Sequence, residues 1–164
     1  MSYFRNILFI VPLAVFASIG LAQGTNVAFG NVKADPSLPV EVTADNLDVN
    51  QETGAAEFKG GVVVSQGEMT LSANLVLVVY NQTQSGIDRL EATENVILVS
   101  GPDVAEADKA EYTIESGEVI MTGNVVLSQG PNTVTSERMT VSLIDGTAKM
   151  SGRVKTVLIP SEKN

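Results

Sequence analysis

Beyond residue 39 the chain alternates short apolar runs, rich in β-branched residues, with short polar punctuation, and each run is too brief for a helix. The runs predict strands at 40–42, 47–49, 62–64, 75–80, 96–99, 112–114, 119–121, 125–127, 141–144 and 154–159. Between them stand turn formers: TG at 53–54, SQG at 65–67, NQTQSG at 81–86, SGPD at 100–103, SG at 116–117, SQGPN at 128–132 and DG at 145–146. Strands at this spacing with glycine-bearing turns predict an all-β sandwich, jelly roll or barrel.

The pattern repeats. GGVVVSQG at 60–67 returns as GNVVLSQG at 123–130, and both belong to a larger unit. Aligning the doublets Ala44-Asp45, Ala73-Asn74, Ala107-Asp108 and Ser136-Glu137 gives spacings of 29, 34 and 29 residues. In the first, third and fourth units a turn glycine (Gly54, Gly117, Gly146) is followed six positions on by another (Gly60, Gly123, Gly152). The second unit stretches this loop, with Gly86 and then Glu94 before Asn95 and Val96. The chain therefore reads as four copies of about one β-hairpin, stacked so that each buries a face it could not bury alone. Alternation puts Val62 and Val64 on one face and Val63 on the other, and likewise for Val96-Ile97-Leu98 and Val125-Val126-Leu127. After residue 22 only four aromatics remain, Phe29, Phe58, Tyr80 and Tyr112, so the lining is aliphatic. Such a lining permits a gap that a ligand could occupy and equally a thin sandwich packed shut.

The amino terminus has one early charge, Arg5, then an uncharged apolar run to about Leu21, with Gly20 and Ala22 placed for cleavage before Gln23. This predicts a signal peptide over 1–22; the run is shorter than the roughly twenty residues of a membrane span, and an uncleaved anchor is the alternative. Residues 23–38, closed by Pro36 and Pro39, predict a flexible leader, 39–160 the β domain, and 161–164 a short tail. Cleavage removes Arg5 and no acid, so the mature charge is 9 minus 19, or −10. That balance repels nucleic acid and anionic membrane surfaces and favours apolar molecules or proteins as partners.

Neither cysteine nor histidine is present, which excludes thiolate and imidazole metal sites, cysteine nucleophiles and Ser-His-Asp triads. Glu91, Glu94, Asp103, Glu106, Asp108, Glu111, Glu115 and Glu118 predict a solvated outer face; Asp103, Glu106 and Asp108 match no calcium-loop pattern. No pocket marks the pairs Asp45/Asp48 or Glu115/Glu118 for acid–base work. No catalytic residue, metal or cofactor is expected.

The stretch FKGGVVVSQGEMTLSANLVLV, the later MTGNVVLSQG, ADKAEY at 107–112 and the terminal RVKTVLIPSE at 153–162 resemble the OstA-like domain family, over about residues 39–162. The resemblance implies a twisted β-jelly roll of repeated hairpins, two facing antiparallel sheets with an apolar, V-shaped groove. It implies a periplasmic, non-enzymatic protein that binds lipopolysaccharide and carries its acyl chains in the groove. It further implies a bridge from an inner-membrane export complex (LptC-like) at the amino-terminal end to an outer-membrane translocon (LptD-like) at the carboxyl-terminal end, built by head-to-tail self-association. By position in the family, Val40, Leu98 and Ile114 are lipid contacts, each also readable as an edge or core residue. Alternation adds Val42, Phe58, Val62, Val64, Tyr112 and Leu127. The chain ends four residues after Pro160, without the longer basic tail of some relatives. Two alternatives remain: the membrane-anchored jelly-roll partner of the same pathway, and a structural β-solenoid polymer.

Overall fold

The computed structural model describes residues 25–30, 35, 37–83 and 85–160; the expected signal segment and the tail 161–164 lie outside the described residues. These residues form eleven strands: β1 Thr25–Ala28, β2 Glu41–Thr43, β3 Asn46–Val49, β4 Ala56–Gln66, β5 Met69–Tyr80, β6 Ile87–Ser100, β7 Asp103–Thr113, β8 Glu118–Gln129, β9 Asn132–Ser142, β10 Thr147–Ser151 and β11 Lys155–Val157. They make one antiparallel sheet in the order β1-β10-β9-β8-β7-β6-β5-β4-β2, with β3 also on β4 and β11 also on β9. Consecutive long strands are neighbours, as four stacked hairpins require, and the predicted turn sequences fall at the turns.

Several predicted short strands are pieces of longer ones. The trio 62–64 sits inside the 11-residue β4, and 96–99 ends the 14-residue β6. The sequence pattern missed most of β7 and all of β10, because four of their inward positions are Ala105, Ala107, Ala110 and Ala148, and alanine carries little strand signal. It also gave no strand before Pro39. Thr25–Ala28 nevertheless pair with β10, Thr25 opposite Met150 and Ala28 opposite Thr147, so this part of the expected leader is held in the sheet.

Each long ladder is interrupted near its middle, between Lys59 and Val62, Ser72 and Leu75, Thr93 and Val96, Glu106 and Lys109, and Thr122 and Val125, and the β5–β6 ladder shifts again at its end, between Val79 and Tyr80. Three pairs of consecutive positive-φ residues lie in these breaks, Gly60-Gly61, Glu94-Asn95 and Gly123-Asn124, and a fourth, Gly152-Arg153, separates β10 from β11 along β9. Such bulges bend a strand. The bend folds the sheet into two leaves. The first contains β2, the halves 62–66, 69–73, 96–100, 103–107, 125–129 and 132–136, and β11; the second contains β3, the complementary halves, β10 and β1.

One hydrogen bond demonstrates the folding. The Tyr112 hydroxyl donates to Gln66 Oε1. In a flat sheet Tyr112 would lie three strands across, about 14 Å, and nine residues along, about 30 Å, from the Gln66 row. Only leaves that face each other bring the two side chains together.

The repeated doublets mark the bends. Their first members, Ala44, Ala73, Ala107 and Ser136, turn inward where the leaves converge and space is least; their second members, Asp45, Asn74, Asp108 and Glu137, are exposed. In the first and third units the outward acid lies across the first residue of the positive-φ pair. A β-carbon on Gly60 or Gly123 would collide with the carboxylate of Asp45 or Asp108, so these glycines are required by both backbone and space.

Candidate functional site

The inward residues align into cross-strand rows. On the first leaf Val42, Val64, Leu71, Leu98, Ala105, Leu127 and Val134 stand side by side on successive strands. Six strand spacings make this an apolar stripe about 29 Å long. On the second leaf one row runs Phe58, Val76, Ala92, Ala110, Met121, Met139, Met150, and the next runs Ala56, Val78, Leu90, Tyr112, Val119, Val141, Ala148, Val27. The three adjacent methionines are fully buried and give the carboxyl-terminal end an unbranched, adaptable lining.

All nine residues singled out in the sequence reach this interior. Val62, Val64, Leu98, Tyr112 and Leu127 are completely buried, while Val40, Val42, Phe58 and Ile114 are partly buried and packed against the same cluster. The alternation within the trios holds: Ile97 is 37% exposed between buried Val96 and Leu98. Sequence reasoning missed the inward face of β5 and the methionine row, which alternation in 69–78 and 119–121 could have supplied. In this conformation the leaves are in contact, so a guest must part them.

The rim of the first leaf is polar. Gln66, Met69, Ser100, Asp103, Gln129 and Asn132 are in register at the ends of the strands. Gln66 Nε2 donates to Leu38 O at 2.8 Å, and Gln129 Nε2 to Ala28 O at 2.8 Å and to Asp103 Oδ2 at 3.0 Å. Asp103 Oδ2 also accepts from Gly30 N at 2.8 Å, and Asn132 Oδ1 accepts from Ile159 N at 3.2 Å. The sequence placed Asp103 on a solvated outer face; instead it is buried, because its parity on β7 matches inward Ala105 and its carboxylate is satisfied by these donors. Burial also raises the Tyr112 hydroxyl above its ordinary pKa. The site offers an apolar interior with one polar margin, and among the described residues no group of three or more carboxylates is placed to hold a metal ion; this is an arrangement for holding an amphipathic molecule.

Residues 41–147 match the family described as LptA/(LptD N-terminal domain) LPS transport protein. An uncharacterized protein of Rhizobium meliloti is 29% identical over 117 residues, 67% of this chain and 63% of that one. The lipopolysaccharide export system protein LptH of Pseudomonas aeruginosa is 31% identical over 68 residues, 42% of this chain and 38% of that one. The matches thus span less than two thirds of these relatives' length. The crystal structure of LptH, the LptA-homologous periplasmic component of the lipopolysaccharide transport device of Pseudomonas aeruginosa, superposes with a TM-score of 0.67 at 20% identity, covering 77% of this chain and 99% of that one.

Proposed function

The chain belongs to the LptA/(LptD N-terminal domain) family of LPS transport proteins, and from that premise we propose that it is a periplasmic conduit that carries lipopolysaccharide by its acyl chains between the two leaves. Members of this family are transport proteins, not enzymes. The observation that carries the proposal is the pair of facing apolar stripes running the length of the sheet, bordered by a polar rim. Each buried methylene stabilises the lipid by about 0.8 kcal/mol, while sugar and phosphate stay in water outside the rim. Because every hairpin contributes a similar row, an acyl chain can shift lengthwise without a large energy step, and the direction comes from an energy-using partner.

Both ends of the first leaf are open strands. Among the described residues β2 pairs only with β4 and β11 only with β9. Apolar residues are exposed at the same two ends of the sheet: Val157, Leu158 and Ile159 at one, and at the other Leu47 and Val49 on β3, in the second leaf. Strand addition at these edges would join copies head to tail, dock an inner-membrane export complex at the amino-terminal end and an outer-membrane translocon at the carboxyl-terminal end. On the second leaf the edge at that latter end is β1, which covers β10.

A photo-crosslinking amino acid at Ile114, on the partly buried margin, tests the conduit against one at outward Glu106. Cross-linking to purified lipopolysaccharide at 114 and not at 106 is expected; equal yields, or none at 114, would overturn the reading.

A further inference from the structure

Thr25–Gly30 cross the mouth of the groove. β1 lies on the second leaf along β10, and Phe29 N donates to Gly146 O, at a turn on that leaf's rim, at 3.0 Å. On either side of Phe29 the main chain meets the other rim: Gly30 N donates to Asp103, Ala28 O accepts from Gln129, and a β-carbon on Gly30 would run into the Ser100 hydroxyl. Gly30 also has φ +70°. Between these anchors Phe29 is 1% exposed and part of the interior cluster. A short strand with only Val27 turned toward the interior thus ends in one aromatic ring placed between the leaves, with its main-chain amides on the polar rim.

We infer that residues 25–30 are an internal ligand of the groove: Phe29 occupies interior space an acyl chain would take, and the main chain at 28–30 occupies the rim positions for the amide, ester or hydroxyl joining that chain to its head group. This rests on the conduit reading. The strap and the lipid's acylated end then exclude each other. A strap released in about one molecule in ten lowers apparent affinity about tenfold, and fixing or removing it moves affinity down or up accordingly.

The chain has no cysteine, so a disulfide can be placed cleanly. Asn26 and Lys149 are cross-strand partners, both exposed and away from the interior. In the double variant Asn26→Cys/Lys149→Cys, oxidation is expected to lower loading of fluorescently labelled lipopolysaccharide at least tenfold, and reduction to restore it. Phe29→Ala, with unchanged far-ultraviolet dichroism, is expected to load severalfold more than the parent. In that opened background Gln129→Leu is expected to lower loading severalfold, since the rim then serves the lipid alone. Equal loading of oxidised and reduced protein would overturn the internal-ligand inference and leave the conduit standing. Unchanged loading in Phe29→Ala/Gln129→Leu would overturn the shared rim. Failure of every form, Phe29→Ala included, to load lipid would overturn the conduit and this inference together.

Discussion

The bend that makes two leaves from one sheet is testable at Gly123. Gly123→Ala introduces two costs. At φ +81° an L side chain is strained by about 1–3 kcal/mol. Its β-carbon would also lie within 3.0 Å of the Asp108 β-carbon and closer still to its carboxylate. Turning that carboxylate away breaks its 2.9 Å bond from Asn124 Nδ2, worth about 0.5–1.5 kcal/mol. Together the loss is about 2–4 kcal/mol, which at a urea slope of about 2 kcal/mol per molar lowers the unfolding midpoint by about 1–2 M. Gly86→Ala is the control, with ordinary φ and its nearest neighbour, Asn81 Nδ2, at 3.7 Å; its midpoint should shift by no more than about 0.25 M. Gly61→Asn should be equally mild, because a β-carbon there meets nothing within 4 Å and the equivalent positions hold Asn95 and Asn124 at positive φ. Equal midpoints for Gly123→Ala and Gly86→Ala would refute the role assigned to the bend.

Three further outcomes follow from the interior and the edges. Leu98→Ala removes a fully buried side chain and should cost about 2–5 kcal/mol in chemical unfolding; a loss under about 1 kcal/mol would mean that the leaves are not packed together there. Tyr112 has its pKa raised by burial from 10.0, so its contribution is complete below about pH 10 and is lost as pH rises from there through the folded-state value, because the unfolded chain deprotonates first; stability measured from pH 9 to 11.5 should fall less steeply in Tyr112→Phe, and identical slopes would contradict this. Leu158→Arg, at a residue 69% exposed, should weaken head-to-tail association in sedimentation while leaving the melting temperature within about 1 °C; unaltered association would remove this end from the proposed joint.

Most of the fold was legible because the bend imposes a local demand that recurs. A positive-φ pair favours glycine or asparagine, with Glu94 and Arg153 as the departures, the inward residue opposite must be small, and the outward one is free to be charged. Those demands print the Gly60, Gly123 and Gly152 series and the four doublets onto the sequence at hairpin spacing. The second unit was harder to read because Glu94-Asn95 stands where the others have glycine. The trios were legible for a related reason: with one face toward a common interior, Val62 and Val64 or Val125 and Leu127 must alternate with tolerant positions. The alanine-lined β7 and β10 gave no comparable signal. Phe29 and Asp103 were illegible for a different cause. Their environment is made by partners far along the chain, Gly30 to Asp103 across 73 residues and Gln129 to Ala28 across 101, and no short-range pattern encodes such a meeting.

The same geometry sets the energy scale on which the groove would operate. The leaves are continuous along the bends, and among the described residues the bond from Tyr112 to Gln66 and the contacts of 28–30 link them across the mouth. Burying Phe29 is worth about 2–3 kcal/mol, whereas an acyl chain of about ten methylenes gains about 8 kcal/mol before the cost of parting the leaves. An internal occupant of that strength keeps apolar residues from water in the empty protein and still yields to the heavier guest. A strap with two or three large apolar residues would rival the lipid and block it; one with none would leave the mouth to water. A single buried ring beside partly buried Val27 lies between those limits, so a further apolar side chain introduced at exposed Asn26 should leave loading unchanged, while Val27→Phe, on the inward face of the strap, should depress it.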